Sequence, residues 1–173
     1  GKSTTMRLLL DLIRPTAGSA QIFGDDVHDA ALAVRRRVGY LPGDLRLPAK
    51  LHGRAVLEHL AALRGGVAAR VRDALVDRLG ASLDRPVGEL STGNRQKLGI
   101  VQAFMHEPEL LILDEPIAGL DPLVQAELHA LMREVAATGR TVFLSSHTLS
   151  EVARVADRVA ILRDGRLVAL DTV

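Results

Sequence analysis

The chain has 173 residues, 47% of them hydrophobic, and a formal net charge of +1, enough length and apolar content to bury the core of one domain. Near-neutral charge, aromatics at 2% and no Trp exclude a strong field for phosphate backbones and a base-stacking platform, so no nucleic-acid partner is expected. With no Cys there is no disulfide framework, and no apolar run reaches the ~18 residues of a bilayer-spanning helix.

At the start, Gly1-Lys2-Ser3-Thr4 matches the last part of the phosphate loop G-x-x-x-x-G-K-[ST]. In that motif backbone N–H groups hold the phosphates, the lysine reaches the β- and γ-phosphates, and the hydroxyl binds Mg²⁺. Four residues alone are a weak signal. Residues 6–13 strengthen it, because they read as the helix such a loop opens into, ended by Arg14-Pro15. A short strand is expected over 19–24, then a polar turn over 25–29, with His28 at the surface. The triplet Arg35-Arg36-Arg37 reads as a solvated face ahead of a strand over 38–41, which runs into Pro42-Gly43-Asp44.

Two helices follow. Val56, Leu57, Leu60 and Leu63 share one face of the first, stopped by Gly65, and Val71, Leu75, Val76 and Leu79 one face of the second, stopped by Gly80. His52 and His59 lack further ligands at metal spacing. Residues 81–89 read as a connecting loop. Ser91 is a good helix N-cap, and Thr92, Gly93 and Asn94 behind it carry the free backbone donors that attract anions. The helix they open buries Leu98, Val101 and Met105.

The segment 110–113, Leu-Leu-Ile-Leu, has no polar alternation and lies between Pro108 and Pro116, as a strand buried on both faces of a parallel sheet does. Asp114 and Glu115 end it, at the edge where open α/β sheets bind ligands, and hard cations take such oxygens. By themselves they could equally be a solvated strand end. In Gly119-Leu120-Asp121-Pro122, Asp121 is placed to cap a helix with Pro122 at its first position. That helix turns Val124, Leu128, Leu131, Met132 and Val135 inward and ends at Gly139, leaving His129 structural or exposed. Residues 141–145 read as another buried strand, followed by His147, a short helix over 149–156 and a hairpin turning at Asp164-Gly165.

The phosphate-loop ending, LSTGNRQ before a helix, LLILDEP, GLDP and a histidine after the next strand stand in the order and spacing of ATP-binding cassette (ABC) ATPases. The chain resembles that family over residues 1–168, and LSTGN with DEP and GLDP behind it is the specific part. The resemblance implies an α/β phosphate-loop NTPase: a core sheet with flanking helices over 1–44 and 107–173, plus a helical subdomain over about 45–106 that docks a transmembrane permease.

Site roles follow from the same resemblance. Gly1, Lys2, Ser3 and Thr4 would bind ATP; Ser3 and Asp114 would hold Mg²⁺; Glu115 would be the general base, and His147 would contact the γ-phosphate. Ser91, Thr92, Gly93 and Asn94 would face the γ-phosphate of a second ATPase subunit, with Asp121 contacting across that homodimer or heterodimer. Three departures stand out. Gly43 occupies the place of a glutamine that senses Mg²⁺ and the attacking water, leaving Asp44 or a backbone carbonyl as substitutes. Thr92 and Asn94 replace Gly and Gln.

The expected activity is ATP hydrolysis coupled to transport by dimer closure on the permease, peripherally at the cytoplasmic face of the plasma membrane, most like multidrug-type exporters. Two alternatives are a non-hydrolysing subunit using ATP as dimer glue and a soluble translation or repair ATPase. The chain reads as incomplete at its N-terminus, so it is expected by itself to bind ATP poorly and to be inactive.

Overall fold

An apolar segment without polar alternation must be covered on both faces, and Leu110–Asp114 is: all five of its residues are buried. The computed structural model describes residues 1–173. In chain order its elements are α1 (Lys2–Leu9), β1 (Gln21–Ile22), β2 (Asp25–Asp26), α2 (Ala31–Arg36), β3 (Val38–Leu41), α3 (Gly53–Leu63) and α4 (Ala69–Leu79). They continue as α5 (Thr92–Phe104), β4 (Leu110–Asp114), α6 (Pro122–Ala137), β5 (Thr141–Ser145), α7 (Leu149–Val155), β6 (Arg158–Arg163) and β7 (Arg166–Thr172).

β3, β4 and β5 form a parallel sheet with β4 in the middle, in register Leu41↔Leu113↔Leu144. Successive strand side chains point to opposite faces, so β4 feeds two cores. Leu111 and Leu113 join Leu41 and the apolar faces of α3 to α6, while Leu110 and Ile112 join Val38, Met6, Leu10 and Val34 on the other side.

Local signals set the element ends. Gly80 caps α4 in the left-handed conformation, Ser91 Oγ accepts the Asn94 N–H, and Asp121 accepts from Leu123 and Val124 with Pro122 at the first position of α6. β6 and β7 pair antiparallel around Asp164 and Gly165, both at positive φ, as a two-residue hairpin turn requires. No helix is long and apolar enough to cross a membrane.

Several expectations need correction. β5 is an edge strand with alternating exposure, and Phe143 is 39% exposed, because it pairs with β4 on one side alone. The turn expected over 25–29 instead begins as strand β2, since Phe23 and Gly24, both at positive φ, reverse the chain earlier. α1 ends at Leu9, four residues before Ile13. Leu63 points outward at 71% exposure. Two arginines of the triplet are anchored, while Arg36 is exposed as expected. Arg35 donates to the Leu10 carbonyl at 3.3 Å, and Arg37 forks onto Glu109 while stacking 3.7 Å over the Phe23 ring.

Candidate functional site

Parallel strands bring their C-terminal ends to one edge of the sheet, and that edge here carries Gly43, Asp114, Glu115, Ser145, Ser146 and His147. Lys2, in the first turn of α1, reaches into it. Its Nζ donates to Glu115 Oε1 at 3.1 Å and to the Ser146 carbonyl at 2.7 Å. His147 Nδ1 lies 2.7 Å from the other Glu115 oxygen. Three residues singled out in separate motifs therefore form one cluster around a single carboxylate.

Glu115 sits at φ 50°, a left-handed conformation that costs a non-glycine residue about 1 kcal/mol or more. Its N–H is held by Ser145 Oγ at 3.1 Å. Partial burial pushes its carboxyl up, but the hydrogen bonds from His147 and Lys2 outweigh this and hold it below the ordinary glutamate value. It is poised as an anion able to accept a proton.

Asp114 is buried, and Ser145 Oγ donates to its Oδ1 at 2.5 Å. Its Oδ2 faces Gly43, where a Cβ would stand 3.2 Å away. Of the two substitutes for the missing glutamine, Asp44 is engaged with Arg7 at 3.0 Å. The residues fit Mg²⁺ in a limited way: Ser3 has an exposed hydroxyl free of protein hydrogen bonds, and Asp114 has one oxygen outside its bond to Ser145. No group of three carboxylates or imidazoles gathers as a metal cage, so an ion bound here would have to take most of its oxygens from phosphate and water.

The turn of Ser91, Thr92, Gly93 and Asn94 packs elsewhere. A Cβ on Gly93 would come within 2.7 Å of the Gly119 carbonyl oxygen, so only glycine permits this approach of the two turns. Gln96 Nε2 ties the same region down by donating to the Pro116 carbonyl at 3.0 Å. No hydrogen bond joins Ser91, Thr92, Gly93, Asn94 or Asp121 to Lys2, Glu115 or His147. Gly1 and Thr4 likewise stay outside the cluster and exposed.

Sequence reasoning missed Ser145, Ser146, Glu151 and the Gln96 bond. The available signal was a pair of serines closing an apolar strand. Glu151 on α7 is buried and hydrogen-bonded to Ser146 Oγ; burial raises its carboxyl pKa, the Ser146 bond opposes this, and the nearby Glu115 charge adds to it.

The family model for ABC transporters matches residues 1–118 of this chain. The chain belongs to the ABC transporter family. As an ABC ATP-binding domain it is 37% identical, over 97% of its length, to the bacitracin transport ATP-binding protein BcrA of Enterococcus faecalis, covering 56% of that protein. It is also 37% identical, over 99% of its length, to the daunorubicin/doxorubicin resistance ATP-binding protein DrrA of Streptomyces peucetius, covering 54% of it. The chain thus spans about half the length of the curated relatives it matches.

Among solved structures, an ATP-binding subunit of an ABC transporter is 35% identical and superposes with a TM-score of 0.88, covering 99% of this chain and 74% of that one. The dimeric bacterial ABC transporter cassette MJ0796, at 20% identity, shares the fold with a TM-score of 0.89 over 99% of this chain and 80% of its own. The fold is accordingly the α/β phosphate-loop NTPase fold of ABC cassettes.

Proposed function

We propose that this chain is the ATP-binding and ATP-hydrolysing part of an ABC transporter, powering export of a solute through a permease partner. The observation that carries this is the convergence of Lys2, Glu115 and His147 beside Asp114 at the C-terminal strand ends. Lys2 exchanges the Glu115 carboxylate for the γ-phosphate of ATP. Glu115, released, takes a proton from the attacking water; the water oxygen bonds to the γ-phosphorus, the bridging P–O bond breaks, and ADP leaves with that electron pair. His147 keeps hold of Glu115 and, like the Gly1 and Thr4 backbone, lies near the phosphates. Ser3 and Asp114 would hold Mg²⁺, which would supply neutralisation of phosphate charge.

The N-terminal turn of Ser91, Thr92, Gly93 and Asn94, in which the Asn94 N–H is taken by Ser91 Oγ, opens the 13-residue helix α5 without reaching the Lys2 cluster of its own chain. This supports a composite site, in which they meet the γ-phosphate of a second ATPase subunit with Asp121 at the dimer contact. Residues 45–106 are proposed as the helical subdomain facing the permease, at the cytoplasmic face of the membrane. An open groove of about 950 Å³ where this subdomain meets α2 supports this, with exposed Leu63 and Arg64 of the subdomain beside Leu32, Arg35 and Arg36 of α2. The name of a similar protein, the Nod factor export ATP-binding protein I of Burkholderia lata, supports the direction of transport.

The test is ATP hydrolysis by the full-length protein beside its Glu115→Gln variant, with dimerisation followed in ATP. Turnover by the wild type, and an accumulating ATP-bound dimer in the variant, is the expected result. No turnover by either, with ATP-dependent dimers of both, replaces it with a subunit that uses ATP as dimer glue.

A further inference from the structure

Glu151 is 4% exposed, carries a buried Oε1 with no hydrogen-bond partner, and belongs to none of the motifs that mark the site. An unmatched buried oxygen is unfavourable, and an apolar side chain on α7 would avoid it. Its other oxygen explains its presence. Oε2 bonds Ser146 Oγ, which also accepts the Thr148 N–H at 2.9 Å, and the Glu151 N–H returns to the Thr148 carbonyl at 3.2 Å. The turn that follows edge strand β5 is thereby closed on itself. Two groups of that turn face the cluster: the Ser146 carbonyl, 2.7 Å from Lys2 Nζ, and the His147 imidazole, 2.7 Å from Glu115.

We propose that Glu151 is a positioning residue for nucleotide binding, fixing through Ser146 the carbonyl that aims Lys2 at the phosphates. This rests on the ATPase reading above. Without the link, the Ser146–Thr148 turn is held by β5 alone, and β5 pairs on one side only. The lysine then loses the acceptor that remains to it when Glu115 is exchanged for phosphate.

The experiment is equilibrium ATP binding by the full-length protein carrying Glu151→Ala, Glu151→Gln or Ser146→Ala, each also combined with Lys2→Ala. Glu151→Ala and Ser146→Ala are expected to weaken ATP binding about tenfold, while Glu151→Gln, which can still bond Ser146, stays within about threefold. With Lys2→Ala already present, Glu151→Ala should add less than about a twofold loss, because the residue acts through the lysine. Wild-type affinity in both Glu151→Ala and Ser146→Ala overturns the proposal, as does an undiminished loss in the Lys2→Ala background, the mark of a merely structural role. If Glu151→Ala does not fold, Ser146→Ala decides alone, since it cuts the same link by removing one oxygen. Failure of the wild type to bind ATP at all overturns the ATPase reading itself, and the positioning role with it.

Discussion

Lys2 and Glu115 stand 113 positions apart in the chain and 3.1 Å apart in space. On the proposed ATPase reading, the ammonium meant for phosphate is paired with the carboxylate meant for water, and binding of ATP would free both, coupling occupancy of the site to release of its base.

Because carboxylate and phosphate compete for one lysine, Glu115→Gln should bind ATP more tightly than the wild type. The two side chains are 41% and 26% exposed, so their pairing contributes at most about 1 kcal/mol and the gain is limited to about fivefold. Hydrolysis should fall by about 10²-fold or more with loss of the base. Equilibrium binding and single-turnover kinetics separate the two effects.

The same pairing sets an acid limb of stability. The Glu115 carboxyl is held below its ordinary value of 4.5, so its contribution is present above about pH 4.5 and is lost as pH falls through the lower folded value. Thermal unfolding followed from pH 5 downward should show a shallower loss in Glu115→Gln than in the wild type.

His106 gives a second, separate limb. Burial first, then the nearby Arg64 charge, pushes its pKa from 6.5 down to about 4, against the bond of its Nε2 to the Val38 carbonyl. Its Nδ1 is buried without a hydrogen-bond partner, and the Gln102 backbone compensates protonation only in part. The unfolded chain takes up this proton first, so stability is full above pH 6.5 and declines as pH falls toward 4. His106→Asn should flatten the decline in chemical denaturation curves over that window, whatever its effect at neutral pH.

Gly93→Ala should push the turn after Ser91 away from the Gly119 turn, since its Cβ would meet a backbone oxygen at 2.7 Å and backbone cannot rotate aside. A loss of about 1–3 kcal/mol is expected in urea unfolding. ATP-dependent dimerisation should weaken in the same variant, because the donors of Thr92 and Asn94 move with the turn.

Much of the fold was legible because its signals are local. The caps at Ser91 and Asp121, the stop at Gly80 and the hairpin turn at Asp164-Gly165 each depend on a few neighbouring residues, and each formed where expected. β5 was misjudged because its apolar run looks like that of β4, while the number of neighbours a strand acquires is a property of the sheet. Leu63 fits the helical spacing of Val56 and Leu57, yet it lies at the last turn of α3, where that face has run out of core to meet.

The sequence by itself determined the candidate site residues: a lysine behind glycine, two carboxylates ending a buried strand, a histidine after the next strand, and a capped helix. Their motifs are short, and their residue types follow from what phosphate, water and a hard cation require. Tertiary structure alone decided that Lys2, Glu115 and His147 share one set of hydrogen bonds, that Ser145 holds both Asp114 and the Glu115 backbone, and that Glu151 supports the turn from below. Those partners are brought together by parallel strand register and helix packing, which no local pattern of residues encodes.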